Sequence, residues 1–363
     1  MYPIGNARNS EQENPQPRPV RRERLLRRTH TRTRQMPSEP AVKIVVPDDF
    51  PPALTGSVAE APLQKLGQVR VFTERGADQE QTLIERIGDA EVALNIRAHA
   101  RFTDRVLAAC PKLRLISIWG AGTDNVDLAA CKTRGVTVTN TPGVNAHALA
   151  EHTVALMLAV TRKIPAMDRD VRAGQWPRGL LTQLEGRTLG LIGLGAIGSR
   201  VAVLARPFGM RMLASTFGPD KGRAAALGAQ HVPVEQLLRE SDIVSLHLRL
   251  SADTQGYLGK ERLALMKPTA FLINTARGGL VDKQALIDAL RDKRLAGAAL
   301  DVFHEEPIPP GDPLLALPEL VLTPHNGGMT REVIDGGVLR AVENIQLFLD
   351  GRTRDVVVAP PVR

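Results

Sequence analysis

The feature that most constrains the fold of this chain is a run of spaced glycines, Gly193-Leu194-Gly195-Ala196-Ile197-Gly198. The run follows residues 188–192, a short, apolar and partly β-branched segment that predicts a buried strand. Residues 199–206 come next and have the apolar spacing of a helix. A strand, G-x-G-x-x-G and a helix in this order predict a dinucleotide-binding turn rather than an unrelated glycine-rich turn. We therefore expect a cofactor to contact Gly193, Gly195, Ala196, Ile197 and Gly198.

The identity of the dinucleotide depends on the end of the next predicted strand, residues 210–214. In NAD sites, a carboxylate about 20 residues after the glycines holds the ribose hydroxyls. Here Ser-Thr follows the strand, and the first acid, Asp220, lies beyond a Gly-Pro pair in a loop. Without that carboxylate a 2′-phosphate is not repelled, and Lys221 and Arg223 could bind one. The cofactor is therefore either NADP or NAD. If it is NAD, we expect the hydroxyl of Thr216 to hold the ribose and the two cations to be solvated.

Arg277 lies in a second motif, Asn274-Thr275-Ala276-Arg277-Gly278-Gly279, which follows the apolar residues 270–273. The carboxyl end of a parallel strand opens into the ligand crevice of the sheet. A planar guanidinium there suits a bidentate contact with a carboxylate, and the two glycines indicate that another group approaches the backbone closely. The alternative is a buried structural arginine.

Two further segments carry candidates for proton transfer. The strand-like residues 298–303 lead into His304-Glu305-Glu306-Pro307, and residues 320–324 lead into His325. Histidine titrates near neutral pH, and a neighbouring carboxylate stabilises its charged form. Taken alone, His325 would more often be structural, but beside the other motifs it is a candidate general acid/base. The metal motif H-E-x-x-H is absent because Ile308 holds its last position, so we predict no metal.

Together these motifs resemble the D-isomer-specific 2-hydroxyacid dehydrogenases, a family that includes phosphoglycerate dehydrogenase and glyoxylate/hydroxypyruvate reductase. The resemblance extends over residues 42–350. Besides the glycine run, the segments that carry it are Trp119-Gly120-Ala121-Gly122-Thr123-Asp124-Asn125-Val126-Asp127, Thr139-Asn140-Thr141-Pro142-Gly143, Ala150-Glu151-His152, Asn274-Thr275-Ala276-Arg277-Gly278-Gly279, Leu300-Asp301-Val302-Phe303, Glu306-Pro307 and Thr323-Pro324-His325.

The resemblance implies an α/β fold with two Rossmann-like parallel-sheet domains, the cofactor domain being inserted into a discontinuous substrate domain. We expect the substrate domain to comprise residues 41–145 and 331–355, and the NAD(P)-binding domain to comprise residues 146–330. An apolar helix over residues 147–160 would form the crossover, and a helix over residues 331–349 would return the chain. The polar stretch 162–177 is expected to be irregular and to form an arm that grips a second subunit in a homodimer.

The resemblance also implies a function, which is hydride transfer between NAD(P) and a small D-2-hydroxy acid or 2-keto acid. Arg277 would bind the substrate carboxylate and polarise the carbonyl, His325 would be the general acid/base, and Glu306 would pair with His325 and tune it. Asp301 would hold the nicotinamide carboxamide. The other residues expected to bind cofactor are Thr216, Thr275 and Ala276, and those expected to bind substrate are Arg97, Ala121 and Gly122.

The substrate is open between a small 2-keto acid, such as glyoxylate or hydroxypyruvate, and 3-phosphoglycerate. Arg97 matches a residue often found near the phosphate in phosphoglycerate members of the family. Trp119 would narrow the cleft, and Asn326-Gly327-Gly328-Met329 departs from the sequence common in those members, so we favour the small acid. Glu306 argues against a formate dehydrogenase. The alternative from another class is a dinucleotide-sensing scaffold that assembles partners without turnover.

Composition agrees with this interpretation. A length of 363 residues suits two domains, and an aromatic content of 3% requires aliphatic cores, as parallel sheets prefer. Residues 1–40 hold nine arginines and four acids, which predicts a disordered basic extension. We favour a dispensable extension. The alternatives are an arm that binds nucleic acid and a transit peptide. We expect no nucleic-acid or membrane partner, and we expect Cys110 and Cys131 to be reduced, in the cytoplasm.

Overall fold

The computed structural model describes residues 41–97, 99–218 and 221–360. The predicted basic extension, residues 1–40, lies outside the described residues, as does Asp220. The strands are β1 (Lys43–Val46), β2 (Gln68–Val71), β3 (Val92–Asn95), β4 (Leu115–Ile118), β5 (Thr137–Thr139), β6 (Thr188–Ile192), β7 (Arg211–Ser215), β8 (Ala229–His231), β9 (Ile243–Leu246), β10 (Phe271–Asn274), β11 (Gly297–Leu300), β12 (Leu320–Leu322) and β13 (Val356–Val358).

Helices connect most of these strands, as expected for parallel pairing. They are α1 (Glu60–Gln64), α2 (Glu80–Ile87), α3 (Asp104–Ala109), α4 (Leu128–Arg134), α5 (Ala146–Thr161), α6 (Ile164–Arg172), α7 (Ala196–Ala205), α8 (Lys221–Ala226), α9 (Val234–Glu240), α10 (Lys260–Leu263), α11 (Lys283–Arg291) and α12 (Arg331–Leu349).

The strands form two sheets. The first has six strands in the order β13-β5-β4-β3-β1-β2, parallel except for β13, which pairs antiparallel with β5. The second has seven parallel strands in the order β12-β11-β10-β9-β6-β7-β8. Central strands such as β4 and β6 are buried along their whole length, because apolar residues on both faces are covered by helices.

The second domain is inserted into the first, as predicted. Strands β6 to β12 come between β5 and β13 in the chain, and α5 packs on α7 and on strands β10 and β11 of the second sheet. Helix α12 returns to the first sheet, where Ser117 Oγ donates to the backbone oxygen of Ala341 at 2.8 Å. Apolar residues of α12, among them Val338 and Ile345, share one core with strands β1, β3 and β4.

One local prediction was wrong. Residues 162–177 are not wholly irregular, because α6 occupies the middle of this stretch. Lys163 adopts a left-handed conformation with φ of 51° and separates α6 from α5, and a proline in the first turn is compatible with a helix start. The apolar residues Ile164, Met167 and Val171 follow a helical spacing that the surrounding polar residues obscured.

Candidate active site

The loops that carry the predicted site residues leave one edge of the second sheet. Because all seven strands are parallel, their carboxyl ends lie along the same edge. The glycine run follows β6, and Thr216 follows β7. Arg277, Asp301 and His325 follow β10, β11 and β12 in the same way. Ligands of open parallel sheets bind at this edge, where the strand order reverses, which here is between β6 and β9.

The three glycines of the run have different steric environments. Gly193 has φ of 101°, and a Cβ there would lie 2.6 Å from the backbone oxygen of His247. A Cβ at Gly198 would lie 2.1 Å from the backbone oxygen of Gly193, so α7 packs directly on the turn. Around Gly195, the N-cap of α7, no described atom lies within 4 Å of such a Cβ. The backbone is therefore packed too closely for a side chain at Gly193 and Gly198. At Gly195 there is free space, which a ligand could occupy at the helix N-terminus.

The end of β7 combines hydroxyl, cationic and aromatic groups. Thr216 Oγ1 donates to the backbone oxygen of Gly218 at 3.1 Å. Arg223 Nη1 donates to the backbone oxygen of Leu194, in the glycine run, at 3.3 Å. The exposed ring of Phe217 meets Tyr257 edge-on, with centroids 5.5 Å apart. The sequence pattern located the first two groups but not the aromatic pair.

His247 follows β9 and lies behind the glycine run. Its Nε2 is 2.9 Å from Ser245 Oγ, and its ring lies close to Gly198. Burial lowers the pKa of His247 from its ordinary value of 6.5 to about 4. This histidine is therefore neutral at physiological pH and does not place a positive charge behind the turn.

The loop that carries Arg277 is held by Asn274. Asn274 Nδ2 donates to the backbone oxygen of Arg277 at 2.9 Å, and its Oδ1 accepts from the N–H of Ala276 at 3.0 Å. Thr275 is buried, and its Oγ1 lies 2.9 Å from Thr153 Oγ1 on α5. The two predicted cofactor-binding residues Thr275 and Ala276 thus precede Arg277 on a turn whose backbone is fixed.

Arg277 meets a loop of the first domain. Its Nε lies 3.3 Å from both carboxylate oxygens of Asp124, and its Nη2 lies 3.2 Å from Oδ1. Its Nη1 donates to the backbone oxygen of Ala276 at 2.8 Å. A Cβ at Gly122 would lie 2.0 Å from Nη2, so only glycine permits this approach. The structure thus brings Arg277 and Gly122 together and adds Asp124, to which we had assigned no role.

The loop that presents Gly122 is supported from behind. Gly120 has φ of 118°, and its N–H donates to Thr141 Oγ1 at 2.7 Å. Asn140 Nδ2 donates to the backbone oxygen of Ala121 at 2.9 Å. Within the described part of the chain, the N–H groups of Ala121 and Gly122 have no acceptor. Two backbone donors are therefore available in the loop whose Gly122 packs against Arg277.

Glu306 and His325 are in direct contact. His325 Nδ1 lies 2.6 Å from Glu306 Oε2, and Glu306 Oε1 accepts from the N–H of Phe303 at 2.9 Å. A Cβ at Gly278 would lie 2.2 Å from the backbone carbon of Phe303, so the turn after Arg277 packs on the segment that Glu306 holds. The side chain of His325 is 37% exposed, which leaves its other ring nitrogen accessible.

The loop before and after His325 is anchored on Asp301. Asp301 is 1% exposed, and its Oδ1 accepts from Thr323 Oγ1 at 2.6 Å, while its Oδ2 accepts from the N–H of Gly327 at 3.1 Å. His152 Nε2 lies 3.0 Å from Thr323 Oγ1. Because the only hydroxyl proton of Thr323 goes to Asp301, His152 is the donor to Thr323. These bonds support His325, whose φ of 52° is rare for a residue other than glycine.

The carboxylate of Asp301 is ionised. Burial raises its pKa, but hydrogen bonds from His152, Thr323 and the backbone of Gly327 hold the pKa below its ordinary value. From the sequence we had assigned Asp301 to the cofactor and had given His152 no role. The structure adds that both residues fix the loop of His325.

Arg97 lies at the edge of the first domain, near the loop of His325. It donates to the backbone oxygen of Pro51, and its Nη1 lies 3.9 Å from the sulfur of Met329. The guanidinium carbon is 5.8 Å from the ring centroid of Trp119, whose indole packs on Gly337 of α12. Burial lowers the pKa of Arg97, opposed by the carboxylates of Asp49 and Asp48, and its Nε has no hydrogen-bond partner among the described residues.

The described part of the chain contains neither a metal-binding cluster nor a membrane-spanning helix. Among residues 41–97, 99–218 and 221–360, no group of three or more His, Cys, Asp or Glu side chains could hold a metal ion. No helix in these ranges combines the length and apolar character that crossing a membrane requires.

Comparison with known proteins identifies close relatives. The family model for the D-isomer specific 2-hydroxyacid dehydrogenase NAD binding domain matches residues 154–327. The chain is 40% identical over 303 residues to a glyoxylate reductase of Aeropyrum pernix, which covers 80% of this chain and 89% of that protein. It is 38% identical over 302 residues to a D-3-phosphoglycerate dehydrogenase of Methanocaldococcus jannaschii, which covers 82% of this chain but 57% of that protein.

A solved structure has the same architecture. The acyclic imino acid reductase Bsp5, in complex with NADPH and D-Arg, superposes with a TM-score of 0.78 at 31% identity. The match covers 87% of this chain and 100% of that one.

Proposed function

Because this chain belongs to the D-isomer specific 2-hydroxyacid dehydrogenase family, we propose that it interconverts a small D-2-hydroxy acid and its 2-keto acid with NAD(P). The observation that carries the proposal is the 2.6 Å contact between His325 Nδ1 and Glu306 Oε2, on the sheet edge that also presents the glycine run and Arg277. When bound, the nicotinamide supplies or accepts the hydride. The chain itself supplies binding, orientation and a proton.

Arg277 binds the substrate carboxylate and polarises the carbonyl. Its guanidinium is 28% exposed and lies beside Gly122, where the backbone donors of Ala121 and Gly122 have no acceptor in the described part of the chain. Charge-assisted hydrogen bonds from a guanidinium are strong and directional, and they suit a planar 2-keto acid. As negative charge develops on the carbonyl oxygen, the same donors stabilise it more strongly than in the ground state.

His325 transfers the proton. Its Nδ1 is occupied by Glu306, which leaves Nε2 to donate to the oxygen that becomes the hydroxyl on reduction. On oxidation the same nitrogen takes the hydroxyl proton, and the carboxylate of Glu306 stabilises the imidazolium that forms. Glu306 also orients the ring, because its second oxygen is fixed by the N–H of Phe303.

The cofactor binds along the carboxyl edge of the second sheet. The open space at Gly195 and the N-terminus of the ten-residue helix α7 fit a pyrophosphate. Thr216 would contact the ribose, and Thr275, Ala276 and Asp301 would contact the nicotinamide end. The residues assigned to the pyrophosphate are Gly193, Gly195, Ala196, Ile197 and Gly198.

We propose that NADP is accepted at least as well as NAD. Ser215 and Thr216 place no carboxylate at the end of β7, and Arg223 is hydrogen-bonded to the glycine run. The end of β7 therefore contributes no carboxylate that would repel a 2′-phosphate, and Arg223 brings a guanidinium to the neighbouring glycine run. A comparison of kcat/KM for NADPH and NADH tests the assignment, and a preference for NADH by orders of magnitude would refute it.

The substrate is a small 2-keto acid such as glyoxylate or hydroxypyruvate. Trp119 and Met329 lie beside Arg97. We expect them to restrict the space in which a substrate tail could extend. A phosphorylated acid, as in 3-phosphoglycerate dehydrogenase, is the second candidate, favoured by the unpartnered Nε of Arg97 within the described chain. The two candidates differ in whether phosphohydroxypyruvate is a better substrate than hydroxypyruvate.

The protein assembles as a homodimer through α6 and the residues that follow it. None of the residues of α6 is buried by the described part of the chain. Trp176 is 74% exposed and Leu180 is 97% exposed, so this segment presents apolar surface that a second copy would cover. Light scattering of the purified protein should give twice the mass of one chain, and a monomer would refute the assignment.

The experiment that tests the activity is a spectrophotometric assay that crosses NADH and NADPH with glyoxylate, hydroxypyruvate, pyruvate and phosphohydroxypyruvate. Oxidation of either cofactor with one of these acids supports the proposal and identifies the substrate class. Dinucleotide binding without turnover of any acid would favour the non-catalytic, dinucleotide-sensing scaffold instead.

A further inference from the structure

The ion pair between Asp124 and Arg277 joins the two domains. Asp124 lies in the loop after β4, in the first domain, and Arg277 follows β10, in the second. The side chain of Asp124 is 37% exposed and that of Arg277 is 28% exposed. Ion pairs with this degree of exposure contribute little to stability, about 0–1 kcal/mol. The pair therefore adds little to the stability of the fold, and its main consequence is for the orientation of the Arg277 guanidinium.

The hydrogen bonds of Arg277 divide its guanidinium into two edges. A guanidinium has five N–H groups in a fixed plane. Nε and one N–H of Nη2 face the Asp124 carboxylate, which lies within 3.3 Å of both nitrogens. One N–H of Nη1 is used by the backbone oxygen of Ala276 at 2.8 Å. Two N–H groups therefore remain, one on each Nη nitrogen.

These two N–H groups match what a 2-keto acid offers. Its reactive end has one carboxylate oxygen and one carbonyl oxygen in the same plane, and both accept hydrogen bonds. A guanidinium with three N–H groups already engaged can present its remaining pair in one orientation only. Without Asp124, the Nε edge would be free to take a carboxylate, and the guanidinium could rotate or bind the substrate in a second way.

We propose that Asp124 is a positioning residue for Arg277, which holds the Nε edge so that only the Nη1/Nη2 edge receives the substrate. This inference rests on the proposed function, because it requires that Arg277 bind the substrate. Gly122 makes the arrangement possible, because a Cβ there would lie 2.0 Å from Arg277 Nη2 and 3.0 Å from Asp124 Oδ1. The role also connects the domains, since the substrate-binding group of one is oriented by a carboxylate of the other.

The opposite account makes Asp124 a competitor. Its carboxylate lies beside Gly122, where the substrate carboxylate is expected, and a substrate would then have to displace it before binding Arg277. The two accounts predict opposite effects of removing the carboxylate. A positioning residue gives weaker substrate binding when it is removed, whereas a competitor gives tighter binding.

The test compares two probes in the presence of saturating reduced cofactor. Oxamate offers a carboxylate and a carbonyl oxygen, and acetate offers a carboxylate alone. We expect Asp124→Ala to raise the inhibition constant of oxamate by ~10-fold or more, the scale of a lost charge-assisted hydrogen bond, and to change that of acetate little. Asp124→Asn, which keeps one acceptor oxygen, should lie between Asp124→Ala and the wild type. The kcat for the keto acid should fall in the same order.

The matched control is Asp127→Asn. Asp127 lies three residues further along the same loop, where its carboxylate caps α4 by accepting from the N–H of Ala130 at 2.9 Å. This variant should keep the oxamate and acetate constants of the wild type even if its melting temperature falls. Melting temperatures of all variants, and their Kd values for the cofactor, separate misfolding from a local effect.

Tighter oxamate binding by Asp124→Ala would overturn the positioning role in favour of competition, and an unchanged constant would overturn both. Arg277→Ala distinguishes these results from a failure of the proposed function. If Arg277→Ala abolishes oxamate binding and Asp124→Ala does not weaken it, only the role of Asp124 is wrong. If Arg277→Ala also retains oxamate binding, the carboxylate site itself has been misassigned.

Discussion

His325 Nδ1 and Glu306 Oε2 lie 2.6 Å apart, and this contact determines which ring nitrogen of His325 is available for chemistry. Nδ1 is directed at the carboxylate, so Nε2 is the nitrogen that can exchange a proton with a ligand. The two residues come from loops after neighbouring strands, β11 and β12, which explains how motifs separated in sequence form one pair. The contact also gives Glu306 a function that does not require it to touch the substrate.

Glu306→Gln should therefore lower kcat more than it changes KM. The amide keeps the shape of the side chain but loses the charge that stabilises the imidazolium, so we expect kcat to fall by ~10-fold or more while KM stays within about 2-fold. Steady-state kinetics with the best keto acid measures both constants. Glu305→Gln, at the exposed neighbouring position, is the matched control and should behave as the wild type. Equal losses in the two variants would contradict the role of Glu306.

Arg277→Ala should separate substrate binding from cofactor binding. The guanidinium contacts Asp124 and Ala276 rather than the glycine run, so its loss should leave the Kd for NAD(P)H nearly unchanged. The KM for the keto acid should rise by ~100-fold, in line with the loss of a charged hydrogen-bonding partner. Fluorescence titration of the cofactor and steady-state kinetics give the two numbers. A similar loss of both affinities would refute the assignment.

Alanine at two glycines of the same run should have different consequences. At Gly198 a Cβ would lie 2.1 Å from a backbone oxygen, so Gly198→Ala should destabilise the fold by about 1–3 kcal/mol or more. At Gly195, where φ is −71° and no described atom lies within 4 Å, Gly195→Ala should fold with a free energy of unfolding within about 0.5 kcal/mol of the wild type.

The same Gly195→Ala variant should bind the cofactor poorly, because the added methyl group enters the space assigned to the pyrophosphate. We expect a rise of ~10-fold or more in the Kd for NAD(P)H, the scale on which steric mismatch and a lost contact weaken binding. Chemical denaturation and fluorescence titration measure stability and affinity in turn. A Gly195→Ala protein that binds cofactor as well as the wild type would show that the pyrophosphate lies elsewhere.

His247 should make the fold sensitive to mild acid. Burial lowers its pKa from 6.5 to about 4, so between these values the unfolded chain takes up a proton that the folded chain does not. The free energy of unfolding therefore falls as the pH decreases from 6.5 towards 4, by about 2 kcal/mol between pH 7 and pH 5 from this group. His247→Gln should lose less stability than the wild type over that range. Denaturant titrations at the two pH values test this, and identical losses would contradict it.

Much of the architecture could be predicted because its signals are local or periodic. The glycine run sits between an apolar strand and a helix, and the predicted return helix has the bounds of α12, Arg331–Leu349. Strand β13 could not be predicted, since three valines carry too short a pattern and their partner, β5, is distant in sequence. Helix α6 was missed because it buries none of its side chains against the described chain, so its polar residues dominate the pattern.

Some residues of the candidate site could be predicted from the sequence, and others could not. Arg277, Glu306 and His325 could be proposed because each lies in its own motif at a strand end. The contacts of Asp124 and His152 could not, since they depend on how distant loops meet: Asp124 reaches Arg277 across the domains, and His152 reaches Thr323 from α5. The only sequence signal for either residue was a charged or imidazole side chain within a segment that carries the family resemblance.

Proton transfer by His325 is tested most directly by the turnover of a 2-keto acid by the wild type and by His325→Gln, with the preferred cofactor at saturation. We expect measurable reduction by the wild type and a kcat lower by ~100-fold or more in the variant, with cofactor affinity unchanged, because a general acid/base has been removed. A variant that turns over the acid as fast as the wild type would show that His325 does not transfer the proton.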